Sequence, residues 1–308
     1  MTTTVVEQTE TFPCFGTTCG AWVIGDSALG DARAAVATLR RRLLAWHRQF
    51  SRFEPDSELC RLNRDPRTTV PVSAAMVRFV ETAVAAASLT GGLVDPTLLA
   101  EIERAGYVRR LESSLGGELR RDGGPARAVA RPQPSMRWRS IEVDRDARTV
   151  TRPPGVALDS GGVAKGMFAD LLGAMVSDCE SYAIDCGGDL MIGGAGGLVR
   201  AVEVRSPSGD DVLHTFELVE SGVATSGIAK RSWLDADGRP AHHLLDPASG
   251  RPAYTGVTQV TALAPSGAEA EARAKAALLS GPATAAQWLP YGGLIVVDDG
   301  RCRVVEPG

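Results

Sequence analysis

Residues 156–170, VALDSGGVAKGMFAD, constrain the fold of this chain more than any other stretch. The apolar approach through Val156, Ala157 and Leu158 reads as the end of a strand. Asp159 and Ser160 offer side-chain oxygens at a helix start, and Gly161 and Gly162 let the backbone turn tightly and come close to a ligand. Lys165 falls in the first helical turn, where free N–H groups already favour an anion. Phe168, Leu171, Leu172, Met175 and Val176 then recur at the spacing of one buried helix face. Strand, glycine turn, lysine and helix N-terminus together make a phosphate cradle. The spacing matches neither the Walker pattern nor a GxGxxG fingerprint. Taken alone, a tight turn with a solvated lysine accounts for it too.

Composition narrows the classes. With 308 residues, 44% hydrophobic and 23% charged, the chain reads as a soluble globular protein. A formal net charge of -4 argues against a nucleic-acid binder by bulk charge. No apolar run has the length of a membrane span, and the first residues lack the basic and apolar regions of a signal peptide. The six cysteines form no CxxC pair and read as buried thiols of a reducing compartment, so a cytoplasmic location is expected. Four scattered histidines argue against a His-based metal site.

Along the chain, residues 11–24 read as a strand with Gly16-Thr17 as a possible backbone contact. Asp31 caps a long amphipathic helix over 32–52, Asp56 or Ser57 a short one ending near Asn63, and Ser73 an Ala-rich one over 74–90 that stops at Gly91-Gly92. Asp95-Pro96 marks a sharp turn. The segment 110–135, rich in Gly, Arg and Pro, reads as a mobile surface insertion. Residues 182–192 have strand character broken by Gly187-Gly188-Asp189, which suggests a bulge or the close approach of something flat or charged. The strand entering Thr225-Ser226-Gly227 ends in hydroxyls that can donate to a phosphate, or in a plain turn. His243 to Gly250 is a second turn-rich stretch, and 269–280 an Ala-rich helix ended by Gly281. A GxSxG elbow is missing, which removes the specific signal for a Ser–His–Asp hydrolase. Several glycine turns carrying Asp, Ser, Thr and Lys at element ends suit a large, phosphate-bearing small molecule.

These segments, in this order, resemble the ApbE-like FAD:protein FMN transferases. The resemblance runs through Gly16-Thr17, the SRFEPDSELCRLN segment ending at Asn63, GLVDPT ending at Thr97, LDSGGVAKG ending at Gly166, Gly187-Gly188-Asp189, Thr225-Ser226-Gly227 and HLLDPASG ending at Gly250. It implies a single α+β domain over 1–308, T-fold-like, with mixed or antiparallel sheets and packed helices. It also implies FAD as substrate, in a cleft lined by Gly16, Thr17, Asp95, Asp159, Gly161, Gly162, Lys165, Gly188, Asp189, Thr225, Ser226, Gly227, His243 and Asp246. The FMN half would pass to a Thr or Ser hydroxyl of an acceptor flavoprotein, and AMP would leave. Lys165 would stabilise the pyrophosphate. His243 would manage the acceptor proton or bind substrate, and Asp246 would orient it or bind the adenosine half.

The family's Mg²⁺ is held by an Asp and a Thr of the closing helix and a backbone carbonyl, here near Ala164. The two side-chain positions are Glu271 and Lys275 in this chain. Glu271 can still ligate Mg²⁺. The Lys275 ammonium can instead take the cation's place. Two alternatives to the transferase share the resemblance: an FAD pyrophosphatase releasing FMN and AMP, and a non-catalytic FAD-binding or carrier protein.

Overall fold

The computed structural model describes residues 6–109 and 126–308. Its centre is an eight-stranded sheet made of β1 (Gln8–Cys14), β2 (Thr17–Ile24), β3 (Ser181–Asp185), β4 (Asp189–Gly193), β5 (Ser221–Gly227), β6 (Val257–Ala264), β7 (Gly293–Val297) and β8 (Cys302–Val305). They lie in that order across the sheet and every neighbouring pair is antiparallel. The helices are α1 (Ala32–Phe50), α2 (Glu58–Arg64), α3 (Ala74–Leu89), α4 (Leu99–Arg104), α5 (Ala164–Ala174) and α6 (Gly267–Ser280).

Local chemistry explains the helix starts. Asp31, Ser57 and Ser73 each accept a hydrogen bond from the backbone three residues on, as N-caps do. α1 buries Val36, Leu39 and Leu43, while Leu44 and Trp46 are half-buried. α1, α3 and α5 share one core with β1 and β2. α6 packs its alanines against β5 and β6 in a second core. The opposite face of the sheet is covered by the ribbon Arg200–Arg205/Val212–Leu218, through Val202, Phe216 and Leu218. Both faces being covered, all of β6 is buried. The result is one α+β domain.

Three local expectations change. Residues 11–24 form two strands, not one: Phe15 and Gly16, both with positive φ, make a two-residue hairpin turn. The stretch 182–192 is likewise a hairpin, with Gly187 and Gly188 at its turn and both their N–H groups on Asp185 Oδ1. A Cβ on Gly187 would lie 2.2 Å from Thr17, so the close approach there is made by the protein itself. Residues 156–158 are not a strand. Asn63 holds Leu158 in place of a strand neighbour, accepting from its N–H and donating to its carbonyl, both at 2.8 Å.

Of the insertion expected at 110–135, residues 110–125 lie outside the described residues. Residues 126–135 contain no helix or strand. Ala128 and Ala130 donate to the carbonyls of Tyr254 and Leu279, and the Arg131 N–H to Asp246, tying that end down.

Candidate functional site

A cleft of ≈ 390 Å³ opens at the N-terminal end of α5. The turn that leads into α5 supplies its floor, through Asp159, Gly161, Gly162, Ala164 and Lys165. No side chain of its own segment caps α5. Ser160 instead donates to Phe50 O at 2.9 Å, and Asp159 Oδ2 accepts from Gly161 N–H. The cap comes from another helix: Glu271 of α6 accepts from Gly166 N–H through Oε2 at 2.8 Å. Its Oε1 holds the Lys275 ammonium at 2.8 Å. Lys165 pairs with Asp189 at the start of β4. Two ammonium groups therefore reach the cleft at one helix end, each backed by a fully buried carboxylate.

The charges follow from these contacts. Burial pulls the Lys165 ammonium down, but Asp189 and Glu271 outweigh it and hold its pKa above the ordinary lysine value. Burial and the like charge of Glu271 push Asp189 up to about 6, against the pull of Lys165 and Lys275. Burial would also raise Glu271, yet Lys275, Lys165 and the Gly166 N–H hold it below the usual carboxylate range. At neutral pH Lys165, Asp189 and Glu271 are ionised.

Lys230 and Arg231, just past β5, add two more cations to the cleft wall. Aromatic and apolar side chains, among them Phe15, Phe53, Tyr107 and Leu98, make up another part of the lining. Phe15 stacks on Phe168 with ring centres 5.6 Å apart. Arg52 lies over the rings of Phe53 and Tyr107, at 4.4 and 4.5 Å, where the two rings meet edge to face, and donates to Tyr107 O. Asp95 has one carboxylate oxygen on the N–H and hydroxyl of Thr97, and the other is buried without a partner. Burial raises its pKa.

Of the residues expected at the site, the cleft brings together Gly16, Asp95, Asp159, Gly161, Gly162, Ala164, Lys165, His243 and Lys275. Asp189 and Glu271 stand behind the two lysines. Thr17, Gly188, Thr225, Ser226, Gly227 and Asp246 do not line it. Thr225-Ser226-Gly227 is not a phosphate turn. It runs as strand, registered on β6, with the Thr225 hydroxyl bonded to that of Thr261 at 2.9 Å. Asp246 does not orient His243. Its oxygens accept from the N–H groups of Arg131, Ala248 and Ser249 and hold the turn. Arg52, Tyr107, Lys230 and Arg231 were given no role by the sequence, although Lys230 and Arg231 stand just after Thr225-Ser226-Gly227.

His243 is half-buried, with Nδ1 lacking a partner. Burial, Arg231, His242 and Lys275 together lower its pKa well below the histidine norm, so it is neutral at pH 7.

The residues present do not fit a Mg²⁺ ion between Ala164 and Glu271. A hard dication needs about six oxygen ligands. Both Glu271 oxygens are already engaged, one by an ammonium. Among the described residues no group of three or more His, Cys, Asp or Glu side chains is placed to hold a metal.

Residues 15–295 match the family model described as the ApbE family. The chain belongs to the ApbE family. A relative from Chlamydia trachomatis, called FAD:protein FMN transferase, is 30% identical over 207 residues, 66% of this chain and 61% of that protein. One of the same name from Vibrio cholerae is 26% identical, covering 94% of this chain and 87% of the relative. The ApbE protein of Thermotoga maritima superimposes with a TM-score of 0.79 at 24% identity, covering 98% of this chain and 97% of that one. The Vibrio cholerae flavin transferase ApbE does so with a TM-score of 0.71 at 21% identity, covering 97% of each chain. At these identities the structural likeness is one of fold.

Proposed function

We propose that this ApbE-family chain, as one domain, moves the FMN part of FAD onto a Thr or Ser hydroxyl of a flavoprotein, releasing AMP. The observation that carries the reading is the convergence of Lys165, Lys230, Arg231 and Lys275 on one cleft at the start of α5, which aromatic side chains also line. A dinucleotide presents that combination: a dianionic diphosphate between two flat, largely apolar rings. The names of the relatives support the choice of FAD.

The acceptor oxygen forms a bond to the phosphorus on the flavin side. The bond from that phosphorus to the bridging oxygen breaks, and AMP leaves with that oxygen. Neutral His243 takes the hydroxyl proton. Phosphoryl-type transfer depends mostly on positioning and charge neutralisation, which Lys165 supplies at the helix N-terminus. Lys165 is held in place by Asp189, whose other oxygen, Oδ1, is buried without a partner. The six cysteines are thiols, which supports a reaction in the reducing cytoplasm.

Purified protein would be incubated with FAD and a flavoprotein domain presenting an exposed threonine, reading AMP by chromatography and bound flavin by in-gel fluorescence. Equal amounts of AMP and labelled domain are expected, and Lys165→Met should lower the rate by about 10²–10³-fold. AMP without label would replace transfer by hydrolysis of FAD. Bound FAD with no AMP would make the chain a carrier.

A further inference from the structure

Glu271 and Lys275 lie one turn apart on α6, and the way α6 meets α5 decides where they point. The two helices touch through glycines: a Cβ on Gly166 would lie 2.3 Å from the Gly267 carbonyl oxygen. That approach puts Glu271 on the Gly166 N–H and carries Lys275 to the cleft beside Lys165. Lys275 is 8% exposed and Glu271 0%. A solvated surface pair would show neither burial nor a carboxylate divided between an ammonium and a helix N-terminus.

An ammonium has three donors, and Glu271 takes one of them. The others are left for an anion entering at the start of α5. A divalent cation brought to the same place would face the fixed charge of Lys275 at close range and would find both Glu271 oxygens taken. The place where the resemblance sets Mg²⁺ is therefore filled by the protein's own charge.

We propose that Lys275 is a built-in counter-ion, and that this chain binds and cleaves the FAD diphosphate without a divalent cation. The proposal deepens the transferase reading and rests on it for the identity of the dinucleotide. Glu271 is then a positioning residue, which aims the ammonium and ties it to the helix N-terminus that Lys165 shares.

The test uses the full chain, with Mn²⁺ as the metal probe. Mn²⁺ binding would be followed by electron paramagnetic resonance, FAD binding by flavin fluorescence and turnover by AMP release, each in excess EDTA and in Mg²⁺. For the wild type, no Mn²⁺ bound in the cleft and FAD affinity and AMP rate within about twofold between EDTA and Mg²⁺ are expected. Lys275→Thr combined with Glu271→Asp should weaken FAD binding in EDTA by about tenfold or more, recover it in Mg²⁺ and gain a Mn²⁺ signal. Lys275→Arg, which keeps the charge, should keep metal independence. Wild-type activity lost in EDTA and restored by Mg²⁺ would overturn the proposal and leave the transferase intact. If no condition yields AMP, the transferase reading falls instead. FAD binding then decides: insensitivity to EDTA that is lost in Lys275→Thr upholds the counter-ion, and Mg²⁺-dependent binding overturns it.

Discussion

At the scale of single residues, the protonation of His243 sets how the rate should respond to pH. A free histidine titrates near 6.5, and here burial, Arg231, His242 and Lys275 all work against the charged form. The base form therefore persists as the pH falls below that value. For the wild type, kcat should show its acidic limb below about pH 6.5, whereas a solvated histidine base would already lose half its rate there. His243→Asn should lower kcat by about 10²–10⁴-fold while changing KM for FAD far less, and should leave only the part of the limb that comes from Asp189, which titrates at about 6. A rise in KM with kcat unchanged would instead make His243 a substrate contact. The sign for stability follows from the same shift. The folded pKa is depressed, so the unfolded chain binds the extra proton first. The contribution of neutral His243 is present above pH 6.5 and is lost as the pH falls below it.

The elements impose the next constraint, because α5 and α6 can meet closely only where neither carries a side chain. In Gly166→Ala the new Cβ would meet backbone atoms of Gly267 and Ala268 at 2.3 to 2.7 Å. Backbone cannot swing aside as a side chain can. The variant should lose about 1–3 kcal/mol in urea denaturation, although alanine is the better helix former. It should also weaken FAD binding, since α6 would carry Glu271 and Lys275 away from the α5 terminus. Gly173→Ala, on the same helix, would press on the Tyr182 ring instead. It should cost stability with FAD binding retained. A Gly166→Ala protein as stable and as tight as wild type would mean that this crossing does not set the position of Lys275. The caps that start α1, α2 and α3 and the glycine stop after α3 were legible in the sequence because their chemistry is local. The start of α5 was legible only in position. Its cap is Glu271, 105 residues away. Thr225-Ser226-Gly227 runs as strand where a turn was expected, because a strand can satisfy a hydroxyl across the sheet as easily as a phosphate can, and Thr261 does so for Thr225. Asp246 was ambiguous for a similar reason: a turn aspartate beside a histidine looks the same in sequence whether it serves the histidine or its own turn, and here it holds the turn.

Across the whole molecule the cleft is the seam between two cores. Phe50, Val94 and Ala164 belong to the core around α1, α3 and α5, and Leu244 and Leu279 to the core around α6. All five line the cleft. Such a seam leaves no periodic mark on a sequence, because each contributing residue looks like an ordinary core or turn position in its own segment. The ordered set of motifs pointed to the ligand, and only folding shows how the cations converge from α5, α6 and the end of β5. A ligand in this seam bridges both cores, so its binding energy should stabilise the molecule as one unit. FAD at about 100 times its Kd should raise the unfolding free energy by about 2.7 kcal/mol. Amide hydrogen exchange should slow by matching factors in β1 and β2 on one side and in β6 and α6 on the other, wherever exchange requires global unfolding. Lys165→Met should lose most of this increment on both sides together. Slowing confined to one core would mean that FAD rests on one wall of the cleft. The four cations would then not act on one diphosphate.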